Sequence, residues 1–126
     1  MLTRLARQLI NMDIKEITRI LEADIVYGEA LNREITKVAA ADLMSDVLSF
    51  SKEGALLLTG LTNSQVIRTA EMSDIGVICF VRGKKPQKNM LELGKERGIP
   101  LLATKLSMYE ACGRLYQKGL QGCECN

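Results

Sequence analysis

The sequence predicts an α/β domain with a mostly parallel central sheet flanked by helices. Three short apolar runs, at residues 56–59, 77–81 and 101–103, each end in small polar or cationic residues and then open into a helical pattern. Repeated units of strand, polar turn and helix are typical of a parallel sheet. The 126 residues, 47% of them hydrophobic, are enough for one domain with a buried core.

The N-terminal third is predicted to begin with helices. Residues 1–12 repeat apolar side chains at helical spacing and form an amphipathic extension, which could pack on its own domain, on a dimer mate, on a partner or on a membrane surface. Asp13 and Glu16 then fit a capping pattern for a second helix. We expect the α/β domain itself to span residues 13–120.

Two extended segments are predicted before the central strands. Residues 25–28 fit a short strand and turn, and residues 34–40 fit a second extended segment, for which the run of three alanines at 39–41 leaves a helical alternative open. Asp42 could cap the following helix and would share a face with Asp46. We interpret this pair as one cap and one surface charge rather than a metal or acid/base site.

The central strands are followed by clear helix signals. Residues 62–65 and 107–110 match the capping box, with Thr62 and Ser107 as the caps. Gly83 permits a turn conformation closed to most residues, Pro86 suits the first position of a helix, and Gly98 suits its end. Because the carboxyl ends of parallel strands meet at one edge of a sheet, these turns should converge there.

A ligand site is predicted at this carboxyl edge. Backbone N–H groups at helix starts attract anions, nearby cations would add to that attraction, and hydroxyl and amide groups would supply hydrogen bonds. The ligand would be an anionic small molecule. The predicted site comprises Gly60, Thr62, Asn63, Arg82, Gly83, Lys84, Thr104, Lys105 and Ser107. Caps and turns use the same residue types, so each of these residues also has a purely structural interpretation.

Composition excludes several functional classes. Seventeen basic against fifteen acidic residues give a net charge of +2, too small for the footprint of a nucleic-acid-binding protein. The absence of histidine removes Ser-His-Asp and Cys-His catalysis and every His-ligated metal site, and the sequence lacks a phosphate loop. We therefore expect no catalytic residue, no metal and no cofactor.

The sequence also indicates the cellular location of the protein and the structure of its C-terminal residues. No apolar stretch approaches the roughly 18 residues of a membrane span, and the N-terminus lacks a secretory signal, so we expect a cytoplasmic protein with reduced cysteines. Residues 121–126 are expected to form a flexible tail. Cys123 and Cys125 in that tail supply two thiols, which do not complete a metal site.

Four segments of the sequence resemble the DRTGG domain family. They are residues 31–36 (LNREIT), 45–48 (SDVL), 98–105 (GIPLLATK) and 113–116 (GRLY), and the resemblance extends over roughly residues 13–120. The chain departs from the family's namesake motif, because Asn32 stands where aspartate is usual and Lys37 and Val38 replace a pair of glycines.

The resemblance implies a three-layer α/β domain that acts as a regulatory or ligand-sensing module, often as a homodimer and without established catalytic residues. It does not imply kinase activity, although a related domain occurs in HPr kinase. Small stand-alone members resemble proteins that accompany hydrogenase components. The alternative function is therefore a dimeric adaptor that holds a protein partner, in a redox or hydrogenase system, and has no small-molecule ligand.

Overall fold

The structure is a computed structural model, and it describes residues 11–28 and 31–123. Within these residues it contains five helices and eight strands. The helices are α1 Ile14–Ile20, α2 Met44–Phe50, α3 Ser64–Met72, α4 Lys88–Arg97 and α5 Met108–Gln117. The strands are β1 Met12–Asp13, β2 Asp24–Tyr27, β3 Glu34–Ile35, β4 Lys37–Ala40, β5 Leu56–Thr59, β6 Val77–Phe80, β7 Leu101–Ala103 and β8 Gln121–Gly122.

A six-stranded sheet forms the centre of the domain. Its strand order is β2-β7-β6-β5-β4-β8, with β2 antiparallel to β7 and every other pair parallel. Leu58 lies opposite Cys79, and Cys79 lies opposite Leu102, so the three central strands run side by side in one direction. The prediction of a mostly parallel sheet is confirmed.

The sheet is the middle of three layers. Helices α2, α3 and α4 cover one face, towards which Leu57, Ile78 and Leu101 point. Helices α1 and α5 cover the other face, together with a separate two-stranded antiparallel ribbon formed by β1 and β3. Successive strand residues alternate between the two cores, and both cores are fully buried. A strand that is covered on both faces has a continuous run of apolar residues, which explains the pattern of residues 56–58.

Side-chain caps fix several helix ends. Asp13 accepts a hydrogen bond from the Glu16 amide at 2.9 Å, and Ser107 accepts one from the Glu110 amide at 3.1 Å, as predicted. Gly98 ends α4 in the left-handed conformation, at a φ of 70°. Two predicted starts were wrong. Asn63 caps α3 in place of Thr62, and α4 begins at Lys88 after Gln87, two residues beyond Pro86.

The segment before the central strands also differs from the prediction. Residues 34–40 are extended, so the helical alternative is wrong, but the segment divides into β3 in the ribbon and β4 in the large sheet. Asp42 does not cap α2, whose N-cap is Leu43. The Asp42 carboxylate instead accepts hydrogen bonds from the Gly60 amide at 2.7 Å and the Thr59 hydroxyl at 3.1 Å.

The two ends of the described chain join the fold. Met12, expected in the extension, is buried and pairs with Ile35. Gln121 and Gly122, expected in a flexible tail, form β8 beside β4, and Cys123 is buried. These pairings depend on residues distant in sequence, which is why local patterns did not indicate them. Residues 1–10 of the predicted amphipathic extension, and Cys125, lie outside the described residues.

Candidate functional site

Backbone hydrogen bonds bring the turns that follow β5, β6 and β7 together at the carboxyl edge. The Val81 amide donates to the carbonyl oxygen of Thr59 at 3.1 Å. The Arg82 amide donates to Leu106 at 2.7 Å, and the Gly83 amide donates to Thr104 at 2.9 Å. The turn after β6 is therefore attached to both of its neighbours, and the convergence expected from the sequence is present.

The turn after β6 has an unusual backbone conformation. The Lys84 amide donates to the Val81 carbonyl oxygen at 3.2 Å, closing a four-residue turn. Its central residues, Arg82 and Gly83, have φ values of 62° and 71°. Two consecutive left-handed residues define a type I′ turn, a conformation that suits glycine and is strained for arginine.

Four cations lie on these turns, and we refer to Arg82, Lys84, Lys85 and Lys105 as the carboxyl-edge cluster. All four side chains are exposed. Within the described part of the chain, the ion pairs involve Arg97 and Arg114, and none involves a cation of the cluster. The result is a concentration of positive charge at the edge where the turns meet.

Most of the predicted polar residues at this edge have structural partners, and Thr62 is the exception among the described residues. The Thr104 hydroxyl is buried, donates to the Leu21 carbonyl oxygen at 2.6 Å and accepts from the Leu106 amide at 3.2 Å. Ser107 and Asn63 accept from amides at the starts of α5 and α3. The Gly60 amide is bonded to Asp42, and Thr62 lies half-buried beside the cap of α3.

A concavity lies elsewhere, along the outer side of β4 between α2 and α5. It has a volume of about 570 Å³, and we refer to it as the β4 groove. Its lining includes Ala39, Ala40 and Ala41 at the end of β4, Phe50 and Ser51 from the end of α2, and Tyr109, Cys112, Gly113 and Tyr116 from α5. None of the nine predicted site residues lines it.

The β4 groove is apolar with few polar groups. Asp46 is the one charged residue among the described residues that line it. The Ser51 hydroxyl oxygen is buried and has no hydrogen-bond partner within the described part of the chain. Burial raises the pKa of the Cys112 thiol above its ordinary value, which keeps the thiol protonated near neutral pH.

A second cavity, of about 550 Å³, lies where α5 meets α1 and is centred on Arg114. This guanidinium donates to Glu22 at 3.0 Å, to Glu110 at 3.3 Å and to the Ile20 carbonyl oxygen at 3.3 Å. Hydrogen bonds to Glu22 and then Glu110 raise its pKa. Arg114 thus fastens α5 to the end of α1.

Groups with catalytic or metal-binding chemistry are scarce in the described residues. Burial raises the pKa of Cys79 to about 12, so this thiol is not a nucleophile at neutral pH. No group of three or more cysteine, aspartate and glutamate residues is placed to hold a metal ion in residues 11–28 and 31–123.

No helix within residues 11–28 and 31–123 combines the length and apolar character needed to cross a bilayer.

Comparison with known proteins identifies the family. The profile of the DRTGG domain matches residues 16–117, most of the chain. The chain belongs to the DRTGG domain family. No curated protein matches the sequence.

A solved structure supports the fold of this DRTGG domain. The chain is similar to the CBS and DRTGG domains of the regulatory region of Clostridium perfringens pyrophosphatase, a structure in complex with the activator diadenosine tetraphosphate. The TM-score is 0.69 at 19% sequence identity, and the match covers 86% of this chain and 47% of that one. The DRTGG domain described here therefore spans about half of the neighbour's length.

Residues that carried the family resemblance hold this DRTGG domain together. Arg33, in the namesake segment, donates to the Gly76 carbonyl oxygen at 2.7 Å and so ties the β3 region to the start of β6. Thr104 ties β7 to the end of α1. Arg114 ties α5 to the same region. The motifs therefore predicted the fold, while the β4 groove was missed because its aromatic residues are scattered along the sequence.

Proposed function

We propose that this DRTGG domain is a non-catalytic regulatory domain that binds an anionic metabolite or nucleotide at the carboxyl edge of its sheet. The observation that supports this proposal most is the carboxyl-edge cluster. Its four exposed cations form no ion pair within the described residues and lie on turns joined by backbone hydrogen bonds. Because these hydrogen bonds hold the turns in place, binding a phosphate or carboxylate group does not have to order the backbone that carries the cations.

The strained conformation of Arg82 supports a role beyond folding. A left-handed residue other than glycine costs about 1–2 kcal/mol, and glycine would form the same turn without that cost. Glu22 and Asp74 also have positive φ values, but each directly follows the C-cap of a helix, where this conformation is common. Arg82 is different, because it lies in a turn beside Lys105, and strain of this kind is often found at ligand sites.

The structural neighbour is consistent with this proposal. Its regulatory region combines a DRTGG domain with CBS domains and was solved with a polyphosphorylated dinucleotide activator. We carry over the ligand class, an anionic nucleotide, and the regulatory role. In this chain the ligand would alter how the domain contacts a partner protein.

The test measures the thermal unfolding of the full chain with inorganic phosphate, AMP, ATP and diadenosine tetraphosphate. A ligand at one hundred times its dissociation constant adds about 2.7 kcal/mol to the free energy of unfolding. Arg82→Gly and Lys105→Ala should each lose this stabilisation, and Arg82→Gly should keep the turn intact. Lys95→Ala is the matched control, because Lys95 lies in the last turn of α4, at the end opposite to the carboxyl edge. This variant should be stabilised by the ligand as the wild type is.

Two results would reject the proposal. One is that none of these anions shifts the unfolding transition. The other is that an anion does so equally well in the wild type, Arg82→Gly and Lys105→Ala.

A second candidate is a homodimeric adaptor that holds a protein partner, in a redox or hydrogenase system. The observation that favours it is the exposure of Phe50, Tyr109 and Tyr116, whose side chains a partner surface could cover. Sedimentation of the full chain over a range of concentrations tests the dimer. Tyr109→Ala tests the partner, because co-purification should be lost while the unfolding transition is retained.

A further inference from the structure

We propose that the β4 groove is a binding site for a planar, uncharged heteroaromatic ring of the size of a nucleoside. This site is separate from the carboxyl-edge cluster and does not depend on the function proposed above, because the two surfaces share no residue. Its volume of about 570 Å³ lies within the range of small-molecule pockets, which are mostly apolar and carry a few polar groups that orient the ligand.

The distribution of aromatic side chains points to a ring as the occupant. The chain has only five phenylalanine and tyrosine residues and no tryptophan. Three of the five line this one groove, and the exposed fractions are 87% for Tyr109, 56% for Tyr116 and 51% for Phe50. Aromatic surfaces of this kind stack on the face of a planar ring, and one such contact contributes to affinity whatever the identity of the ring.

Small residues leave room beside these aromatic side chains. Three consecutive alanines at the end of β4 line the groove. On α5, the groove is lined by Gly113, and a methyl group added there would meet no atom within 4 Å. The space in front of Gly113 is therefore open, and a flat ligand can approach the helix backbone.

The polar groups of the groove select against a phosphate and for a ring with hydrogen-bonding atoms. The Ser51 hydroxyl is buried and has no partner among the described residues, which is uncommon for a buried polar atom. Rotation about the Ser51 χ1 angle towards the groove would let the hydroxyl bond to a ligand there. Asp46 can accept a hydrogen bond from a ring amino group. It would also repel an anion, and no lysine or arginine among the described lining residues offsets that repulsion.

The register of β4 provides further hydrogen-bonding groups. The Ala41 amide donates to the Leu58 carbonyl oxygen on β5, while the Val38 carbonyl oxygen accepts from Cys123 on the opposite side. Because peptide groups alternate sides along a strand, those of Ala40 point away from β5 and towards the groove. A ring edge reaching β4 would meet backbone groups there, as a nucleobase edge can.

The experiment titrates the full chain with adenosine, guanosine, cytidine and uridine, and with their 5′-monophosphates, by calorimetry. We expect saturable binding of at least one nucleoside to the wild type. In Arg82→Gly, which weakens the carboxyl-edge cluster, we expect no gain in affinity from its phosphate. If the carboxyl-edge cluster alone binds ligands, monophosphates will bind and nucleosides will not. The two proposals can thus fail separately.

Matched variants test the geometry of the groove. Tyr109→Ala should weaken nucleoside binding about tenfold through lost stacking. Met72→Ala is the control, since Met72 is 73% exposed on α3 and lies outside the groove, and it should bind as the wild type does. Ser51→Ala should weaken binding about fivefold through the lost hydrogen bond. The same change should raise the unfolding temperature of the unliganded protein, because it removes a buried hydroxyl without a partner.

Three outcomes would overturn the proposal. The first is that no nucleoside binds to the wild type. The second is that Tyr109→Ala and Ser51→Ala bind as the wild type does. The third is that the chain is a dimer in solution which Tyr109→Ala dissociates, since the groove would then be an interface between two copies.

Discussion

The carboxyl edge and the β4 groove differ in how their polar groups are satisfied. At the edge, the hydroxyls of Thr104 and Ser107 and the amide of Asn63 are hydrogen-bonded within the fold. In the groove, the Ser51 hydroxyl is buried without a partner among the described residues. The polar residues of the edge can be explained by folding alone, whereas the cations of the edge and the features of the groove cannot. Ligand contacts are therefore better sought among the latter.

Thr104→Val gives the sharpest test of this comparison and the largest expected effect. Thr104 is 3% exposed, and its replacement leaves the Leu21 carbonyl oxygen and the Leu106 amide without their hydroxyl partner. We expect a loss of about 2–3 kcal/mol in the free energy of unfolding, measured with urea. Thr62→Val is the control. Its half-buried side chain makes no hydrogen bond within the described residues, so the change should stay within about 0.5 kcal/mol. Equal effects of the two changes would contradict the structural role of Thr104.

The second prediction compares an aspartate of the edge with an aspartate of the groove. Asp42→Ala removes the acceptor of the Gly60 amide and the Thr59 hydroxyl and should cost about 1 kcal/mol, a modest effect because Asp42 is exposed. Asp46→Ala removes a carboxylate without a described partner and should change the free energy of unfolding by less than about 0.5 kcal/mol. Urea denaturation measures both. A larger cost at Asp46 would show that the groove residue also serves the fold.

Local patterns predicted most of the central fold. The apolar runs of β5, β6 and β7 and the caps Asp13 and Ser107 depend on neighbours in sequence, so the amino acids themselves indicate them. The predicted cap at Asp42 was wrong because the Asp42 carboxylate instead accepts a hydrogen bond from the amide of Gly60, 18 residues away. The short strands β1, β3 and β8 exist because of distant partners and carry too few residues to show a pattern.

The two candidate sites also differ in whether neighbours in sequence indicate them. Arg82, Lys84 and Lys105 follow strand ends directly, so the parallel topology was enough to predict that they lie together. The groove could not be predicted in this way, because Phe50 is far in sequence from Tyr109 and Tyr116, and the three residues line one groove only in the folded domain. The sequence signal that could have found it was the exposure of aromatic side chains in a chain with few of them, and exposure is not visible in the sequence.

The last prediction compares two glycines inside helices and has the smallest expected effect. Gly113→Ala should stabilise the domain by about 0.5–1 kcal/mol, because alanine is the better helix former and the added methyl group meets no atom within 4 Å. Gly94→Ala in α4 should gain little or lose stability, because its methyl group would lie 3.0 Å from Leu101 Cδ1 in the core. Urea denaturation of both variants measures the difference. If Gly113→Ala instead destabilises the protein, the space in front of Gly113 is occupied and the groove is not open to a ligand.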